Sequence, residues 1–279
     1  MTDIAEANRA ILKNGSLEPG IGAALITTVQ VDPGFEHSYN AWYGGDHYYA
    51  GMMALPWCFS GSRWISTARL RALRRPDDSS FVSPVTDGNF LNMYLGFAGH
   101  EDEFFANILT ALDRLTDEQR MHRDGGRRQV FTAHQNYLGA VYRDAVGPRD
   151  IHAFDHPYPA CVLEVLDAPT PEDRDELERW LLTTHLPGRL PMSAASMVLA
   201  FRTREYVGSG YVAQEMPTER FGQRVVLLWM LTVDPQDDWD FFASEGSAVA
   251  ESGLGVMEYV SGYLRLEAGT DKHLDDLHR

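Results

Sequence analysis

One phrase occurs twice in this chain. Phe35 to Trp57 reads FEHSYNAWYGGDHYYAGMMALPW, and Arg174 to Met192 reads RDELERWLLTTHLPGRLPM. Each places a Trp five residues before a His: Trp42 with His47, and Trp180 with His185. Each follows an apolar run that reads as a strand, Ile21–Val31 and Ala160–Leu166, and precedes another, Trp64–Leu70 and Ser196–Phe201. Trp180 minus Trp42 gives a period of 138, about half of the 279 residues. An internal repeat of that length decides the architecture before any single element does.

The remaining elements keep the period. In the first half, Ile4–Leu12 reads as a short helix stopped by Asn14-Gly15. After Trp64–Leu70 comes a polar stretch, Arg71–Gly88, then a strand over Asn89–Phe97. The helix over His100–Met121 carries Phe104, Phe105, Ile108, Leu109, Leu112 and Leu115 at helical spacing, with three acids in its first turn. Asp124-Gly125-Gly126 closes it, and Arg128–Tyr142 is the fourth strand, bent near Gly139. In the second half the order runs Cys161–Leu166, a helix started by Thr170-Pro171, Ser196–Phe201, the long loop Thr203–Gln223, Arg224–Val233, a helix over Asp237–Glu251, a strand over Leu254–Leu266, and a charged tail. Both halves therefore read strand, helix, strand, long loop, strand, helix, strand. The expectation is an α+β protein of tandem ferredoxin-like (βαββαβ) repeats, units 1–150 and 151–279. Each four-stranded sheet has helices for one face only, so its other face must be buried against something.

The helix ending Trp42-Tyr43-Gly44-Gly45-Asp46-His47, with Ala54-Leu55-Pro56 after it, resembles the EthD-like branch of the dimeric α+β barrel superfamily. Its phrase there is a Trp-Tyr pair, an acid, a His, and a Pro-containing turn. The second copy keeps His185-Leu186-Pro187 but has Leu181 for the Tyr and Thr184 for the acid. The resemblance implies a pseudo-dimeric α+β barrel closed within one chain. It also implies cofactor-independent enzymes in which His and Tyr residues move protons on small hydrophobic substrates.

Composition bounds the partners. The net charge of −16 argues against nucleic acid and anionic membrane surfaces. The start of the chain lacks the basic and apolar segments of a signal peptide, no run reaches the roughly 20 residues of a membrane span, and two cysteines form no motif, so a cytoplasmic location is expected. A homodimer of the fused pair stays open.

His47 leads the candidate catalytic residues. At a helix C-terminus beside Asp46, its imidazolium would be favoured, and His suits proton transfer near neutral pH. The bland alternative, that His47 fixes the turn into the next strand, stands evenly beside it. Asp46 would orient the ring, and Tyr43, Tyr48 or His134 would supply a second proton or hold an enolate oxygen. His185 ranks below His47. Trp42 and Trp180 read first as core anchors and second as substrate contacts. By alternation His134 and Asn136 share one face of their strand, and Asn92 and Tyr94 share one face of theirs. Together these four would make a polar patch of substrate contacts if the register allows. His100 and its acids read as helix capping, because consecutive helical residues cannot converge on one ion. His152 and His156 lie near Pro157, which argues against a helical zinc pair. No metal or cofactor is expected. Haem enzymes, dye-decolourising peroxidases and the chlorite dismutase family among them, use related fused units; the peroxidase G-x-x-D-G motif is absent, Val85-Thr86-Asp87-Gly88 having only its end, and a proximal haem His could be any of several residues.

The expected activity is thus a lyase, dehydratase, cyclase or isomerase step on a small aromatic or polyketide-like molecule. A cofactor-free monooxygenase of phenols and a non-catalytic hydrophobic-ligand or stress-response barrel are the alternatives. The loops Arg71–Gly88 and Thr203–Gln223 are candidate lids.

Overall fold

A computed structural model describes residues 20–122, 125–204, 218 and 220–279. The expected helix over Ile4–Leu12, the Asp124 end of the third helix and most of the Thr203–Gln223 loop lie outside them. Eight antiparallel strands close a barrel: β1 Ile21–Val31, β2 Cys58–Ile65, β3 Phe90–Phe97, β4 Arg127–Tyr142, β5 Ala160–Asp167, β6 Ala195–Thr203, β7 Arg224–Leu231 and β8 Val256–Leu266. Around the ring they run β1-β3-β2-β8-β5-β7-β6-β4. The first half thus contributes β4-β1-β3-β2 and the second β8-β5-β7-β6, the same order. The seams between halves are unequal. Three register pairs join β2 to β8, at Arg63, Trp64 and Ile65, whereas seven join β4 to β6.

Among the described residues six α-helical segments lie outside the ring: α1 Glu36–Trp42, α2 Ala68–Arg71, α3 Glu101–Asp117, α4 Arg174–Trp180, α5 Leu186–Arg189 and α6 Trp239–Ser252. Alternation along the strands builds two cores. Ala24, Ile26, Leu91 and Met93 point into the barrel with Trp64, Phe131 and Phe201, while Leu25, Val29, Phe90 and Tyr94 point out beneath the helices. Burial of apolar surface on both faces is the main favourable contribution to this arrangement.

The structure departs from the sequence-based expectation in several places. The second strand begins at Cys58 instead of Trp64 and stops at Ile65, because Ala68–Arg71 turns helical. The stretch Arg71–Gly88 is no lid. Phe81 and Val82 are 4% and 5% exposed inside the barrel, where Phe81 meets Phe131 and Tyr259 at 5.0 Å each. Arg74 is fully inside with it, donating to Ser261 Oγ (2.8 Å) and to the carbonyls of Val85 and Gly88 (3.0 and 2.7 Å). This segment plugs the barrel and takes up the edge of β8 beyond the short seam, through the Arg75–Val260 bridge and Ser79 donating to Glu258 O. His100 does not cap α3 through its side chain; its ring stacks on Trp57 at 3.5 Å. The tail docks: Leu277 is buried and its carbonyl accepts from Arg71.

Candidate functional site

Both repeated phrases fold in the same unusual way. After α1 the chain continues through π-helical turns at Tyr43–His47 and Tyr49–Met53, with Tyr48 N–H bonded to Tyr43 O. After α4 a π-turn covers Leu181–His185. A π-helix bonds i to i+5, so the fifth residue returns to the face of the first. The Trp-to-His spacing of five is thereby explained. The Trp42 and His47 rings stack at 4.6 Å and 25°, and the Trp180 and His185 rings at 4.5 Å and 30°. Single π-turns recur at functional sites.

Beneath the first of these helices lies a cavity of about 80 Å³. Its roof is Tyr39, Trp42, Tyr43 and His47; its floor includes Leu25, Thr27, Val29 and Thr132; Ile108 and Leu112 of α3 close one side, and Arg127 also lines it. The floor belongs to a polar row crossing four strands. Register pairs run Arg63 to Asn92 to Thr27 to Thr132. Asn92 Nδ2 donates to Thr27 Oγ1 (3.3 Å), Arg63 Nε reaches Asn92 Oδ1 (3.4 Å), and Arg63 Nη1 donates to Asn40 Oδ1 (2.8 Å). Behind the roof, Tyr43 and Tyr94 share a hydroxyl–hydroxyl bond of 3.0 Å.

Several buried polar atoms here are unspent. His47 Nδ1, Tyr39 Oη and Arg63 Nη2 have no hydrogen-bond partner; Tyr39 sits near enough to Asn92 to feel its amide without a bond of normal geometry. His47 is 9% exposed. Burial, then the nearby Arg127 charge, pushes its pKa down to about 4, outweighing the attraction of Asp46. The imidazole is therefore neutral at pH 7, contrary to the expected stabilised imidazolium. Burial raises the pKa of Tyr39, Tyr43 and Tyr94, so these hydroxyls remain proton donors.

The expected site residues divide accordingly. Trp42, Tyr43 and His47 come together at the cavity, Tyr94 behind them and Asn92 in the floor row. Asp46 does not orient His47: it faces out and binds Arg120, with Arg120 Nε at 3.2 Å and a shorter contact through Nη2. Tyr48 donates to Gly61 O (2.8 Å) and is tied to β2. Asn92, Tyr94, His134 and Asn136 do share the helix-facing side, but β1 runs between the pairs, with Leu25 separating Tyr94 from His134. No single patch forms. His134 stacks on Phe105 at 4.2 Å, and burial lowers its pKa to about 4. Trp180 and His185 lie under the other sheet. There His185 Nε2 meets Glu245 Oε2 at 3.0 Å, and Arg189 Nε donates to Glu245 Oε1 at 2.7 Å. Glu245 is fully buried.

Sequence reasoning missed Tyr39, Arg63 and Arg127. Tyr39 stands four residues before Tyr43, so helical spacing points to it, and Arg63 is a charge inside an apolar strand. Among the described residues no group of three or more His, Cys, Asp or Glu could hold a metal ion, and no helix is long and apolar enough to cross a membrane.

No family model and no curated protein matches the chain. Solved structures do. A provisionally named chlorite dismutase superposes with a TM-score of 0.52 at 11% identity, over 90% of this chain and 96% of that one. An anthrone oxidase-like protein gives 0.52 at 11% identity, over 91% and 95%. At such identity the likeness carries the fold alone: an eight-stranded antiparallel barrel with helices outside it. A haem does not fit the described cavity. Even benzene needs roughly 150 Å³, and a macrocycle several times that.

Proposed function

We propose that this chain is an enzyme performing histidine-based acid–base chemistry on a small aromatic or polyketide-like substrate held beneath α1. It is built of two ferredoxin-like units, 1–150 and 151–279, in an EthD-like arrangement, and only the first unit is active. The shared strand order, the paired Trp–His stacks and the Trp42-Tyr43-…-His47 phrase support that organisation. The observation that carries the chemistry is His47 itself: a buried, neutral imidazole with an unpaired nitrogen, held by Trp42 at the wall of a cavity roofed by tyrosine hydroxyls. His47 takes a proton from the substrate, and the hydroxyl of Tyr39 or Tyr43 holds the oxygen on which charge develops. The cavity must widen to admit a ring. Met52 and Met121, both on its wall, are adaptable side chains suited to that. The outcome is a lyase, dehydratase, cyclase or isomerase step.

A screen of phenolic and polyketide-like compounds against wild type and His47→Gln tests this. Turnover by wild type, reduced by about 100-fold or more in the variant with unchanged circular dichroism, is expected. Turnover that survives the substitution sinks the proposal. A cofactor-free monooxygenase on the same site begins with the same deprotonation of a phenol, and oxygen consumption matching substrate loss marks it. A bound ligand recovered unchanged would make the barrel a carrier instead. A Soret band in the purified protein would overturn the cofactor-free reading.

A further inference from the structure

The first half contains a charge without its complement. Arg63 is 3% exposed, forms no ion pair among the described residues, and its Nη2 has no acceptor. Its neighbours are neutral: Asn40 and Asn92 accept from it, and its guanidinium lies 4.5 Å over the Tyr43 ring. Burying an unpaired charge is costly, and arginine cannot escape by losing its proton. Of the other buried arginines, Arg74 spends its donors on Ser261 Oγ and backbone carbonyls, and Arg224 is paired with Asp167.

The second half supplies the control. Two residues before the stacked Trp stands Asn40 in α1 and Glu178 in α4. Each meets an arginine from the following strand, on the helix-facing side. Arg202 Nε donates to Glu178 Oε1 at 2.8 Å, with a second, shorter contact through Nη2. In the first half the carboxylate has become an amide, and the arginine's charge is left over. The acid nearest in the chain of bonds, Asp271, binds the far side of Asn40. Arg127, unlike Arg63, lines the cavity; its side chain has no hydrogen bond or ion pair among the described residues and lies over Trp42 at 5.4 Å. Scarcity of acids is no explanation in a chain with 40 of them against 24 bases.

We propose that the cavity beneath α1 binds an organic anion whose charge lies on oxygen, a carboxylate or a phenolate, which accepts from the Tyr39 hydroxyl and from Arg127 on the cavity wall and offsets at longer range the charge of Arg63, which lies outside the lining, over the Tyr43 ring and at the end of the polar row. This rests on the functional reading above for its location, and it narrows the substrate to an ionised one. A bound anion also stabilises the imidazolium, so it raises the basicity of His47 when substrate is present.

Binding alone tests this, so it is separable from the catalytic proposal. Acetate and benzoate are titrated against acetamide and benzamide, and 4-nitrophenol above and below its ionisation, by Trp fluorescence and by thermal shift. The expected result is that the anions bind at least about tenfold more tightly than their neutral isosteres. Preference for carboxylate or for phenolate identifies the source of the charge. Arg63→Met should remove the preference. Should that variant fail to fold, Asn40→Asp combined with Asp271→Asn restores the carboxylate of the second half, and anion binding should be lost while the fold is kept. Equal binding of anion and amide, no anion binding at all, or undiminished binding in the double variant would each overturn the proposal. Loss of turnover in His47→Gln with anion preference intact leaves both proposals standing. Retained turnover with intact preference removes the catalytic one alone.

Discussion

The two halves of the barrel carry the same Trp–His stack on the same π-turn, yet the histidines live in different surroundings. His47 has an unpaired nitrogen and a cavity; His185 is bonded to a fully buried carboxylate that also receives Arg189. Two positions account for the difference. Four residues after each histidine stands Gly51 or Arg189. Three residues after a matching Phe-Phe pair, Phe104-Phe105 or Phe241-Phe242, stands Ile108 or Glu245. The second half has an ionic lock where the first has a glycine and an aliphatic wall. It also holds Glu164, 1% exposed, which accepts from Trp229 Nε1 at 2.8 Å and whose pKa is raised well above the usual carboxylate range chiefly by burial, then by the Glu245 charge. A common helix geometry thus sets where a histidine ring sits, while the residues facing it decide whether it is spent on structure or left for chemistry.

The largest effect should come from breaking the lock. Glu245→Ala is expected to destabilise the protein by about 3–5 kcal/mol in chemical denaturation, because it strips the partner from buried His185 and half-buried Arg189. Ligand binding under α1 should be untouched; if it falls with stability, the two halves are not independent. Next, His47→Gln should lower turnover by about 100-fold, roughly 2.7 kcal/mol in the barrier, while His185→Gln leaves turnover alone and lowers stability. The sharpest test moves the lock: Ile108→Glu places a carboxylate opposite His47. It should raise the His47 pKa from about 4, read by NMR titration of the ring, and abolish ligand binding.

Smaller effects follow from acid. His47 and His134 both titrate near 4 when folded but near 6.5 when unfolded. The unfolded chain therefore binds more protons between those values. Stability should be full above about pH 6.5 and fall as pH drops towards 4, with each histidine contributing up to about 1.4 kcal/mol per pH unit. His47→Gln should flatten its share of that slope. Least of all, Gly51→Ala brings a methyl to 3.3 Å from His47 Cε1, and less than about 1 kcal/mol is expected, with a measurable shift in the Trp42 fluorescence.

Much of this was legible in the residues. The order of strands and helices along the chain followed from period-two and period-3.6 patterns, as did the placing of Asn92 with Tyr94 and of His134 with Asn136 on one face of their strands, whereas the closed ring was implied by the family resemblance. Other features depended on distant partners that no local pattern records. Asp46 turned to Arg120, and β1 divided the expected polar patch. Phe81 and Val82 were two apolar residues in a polar loop, a signal that the segment goes inside, yet its destination depends on β8. The Phe-Phe pairs were a readable repeat that separates Ile108 from Glu245. The π-turn is hidden in a spacing of five, which makes no sense for an α-helix and good sense for a wider one.

The unequal seams have a kinetic meaning. The short one asks residues 63–65 to find residues 264–266, so about 200 residues of chain must be looped before three pairs reward it. Ring closure at that point is a late step in folding, and its reversal is the cheapest way for the barrel to breathe. Amide protons at Arg63, Trp64 and Ile65 should exchange with solvent through openings well below the global unfolding energy, ahead of those along β4 and β6. Because Arg63 belongs to that same seam, each breath of the ring also loosens the cation at the end of the polar row.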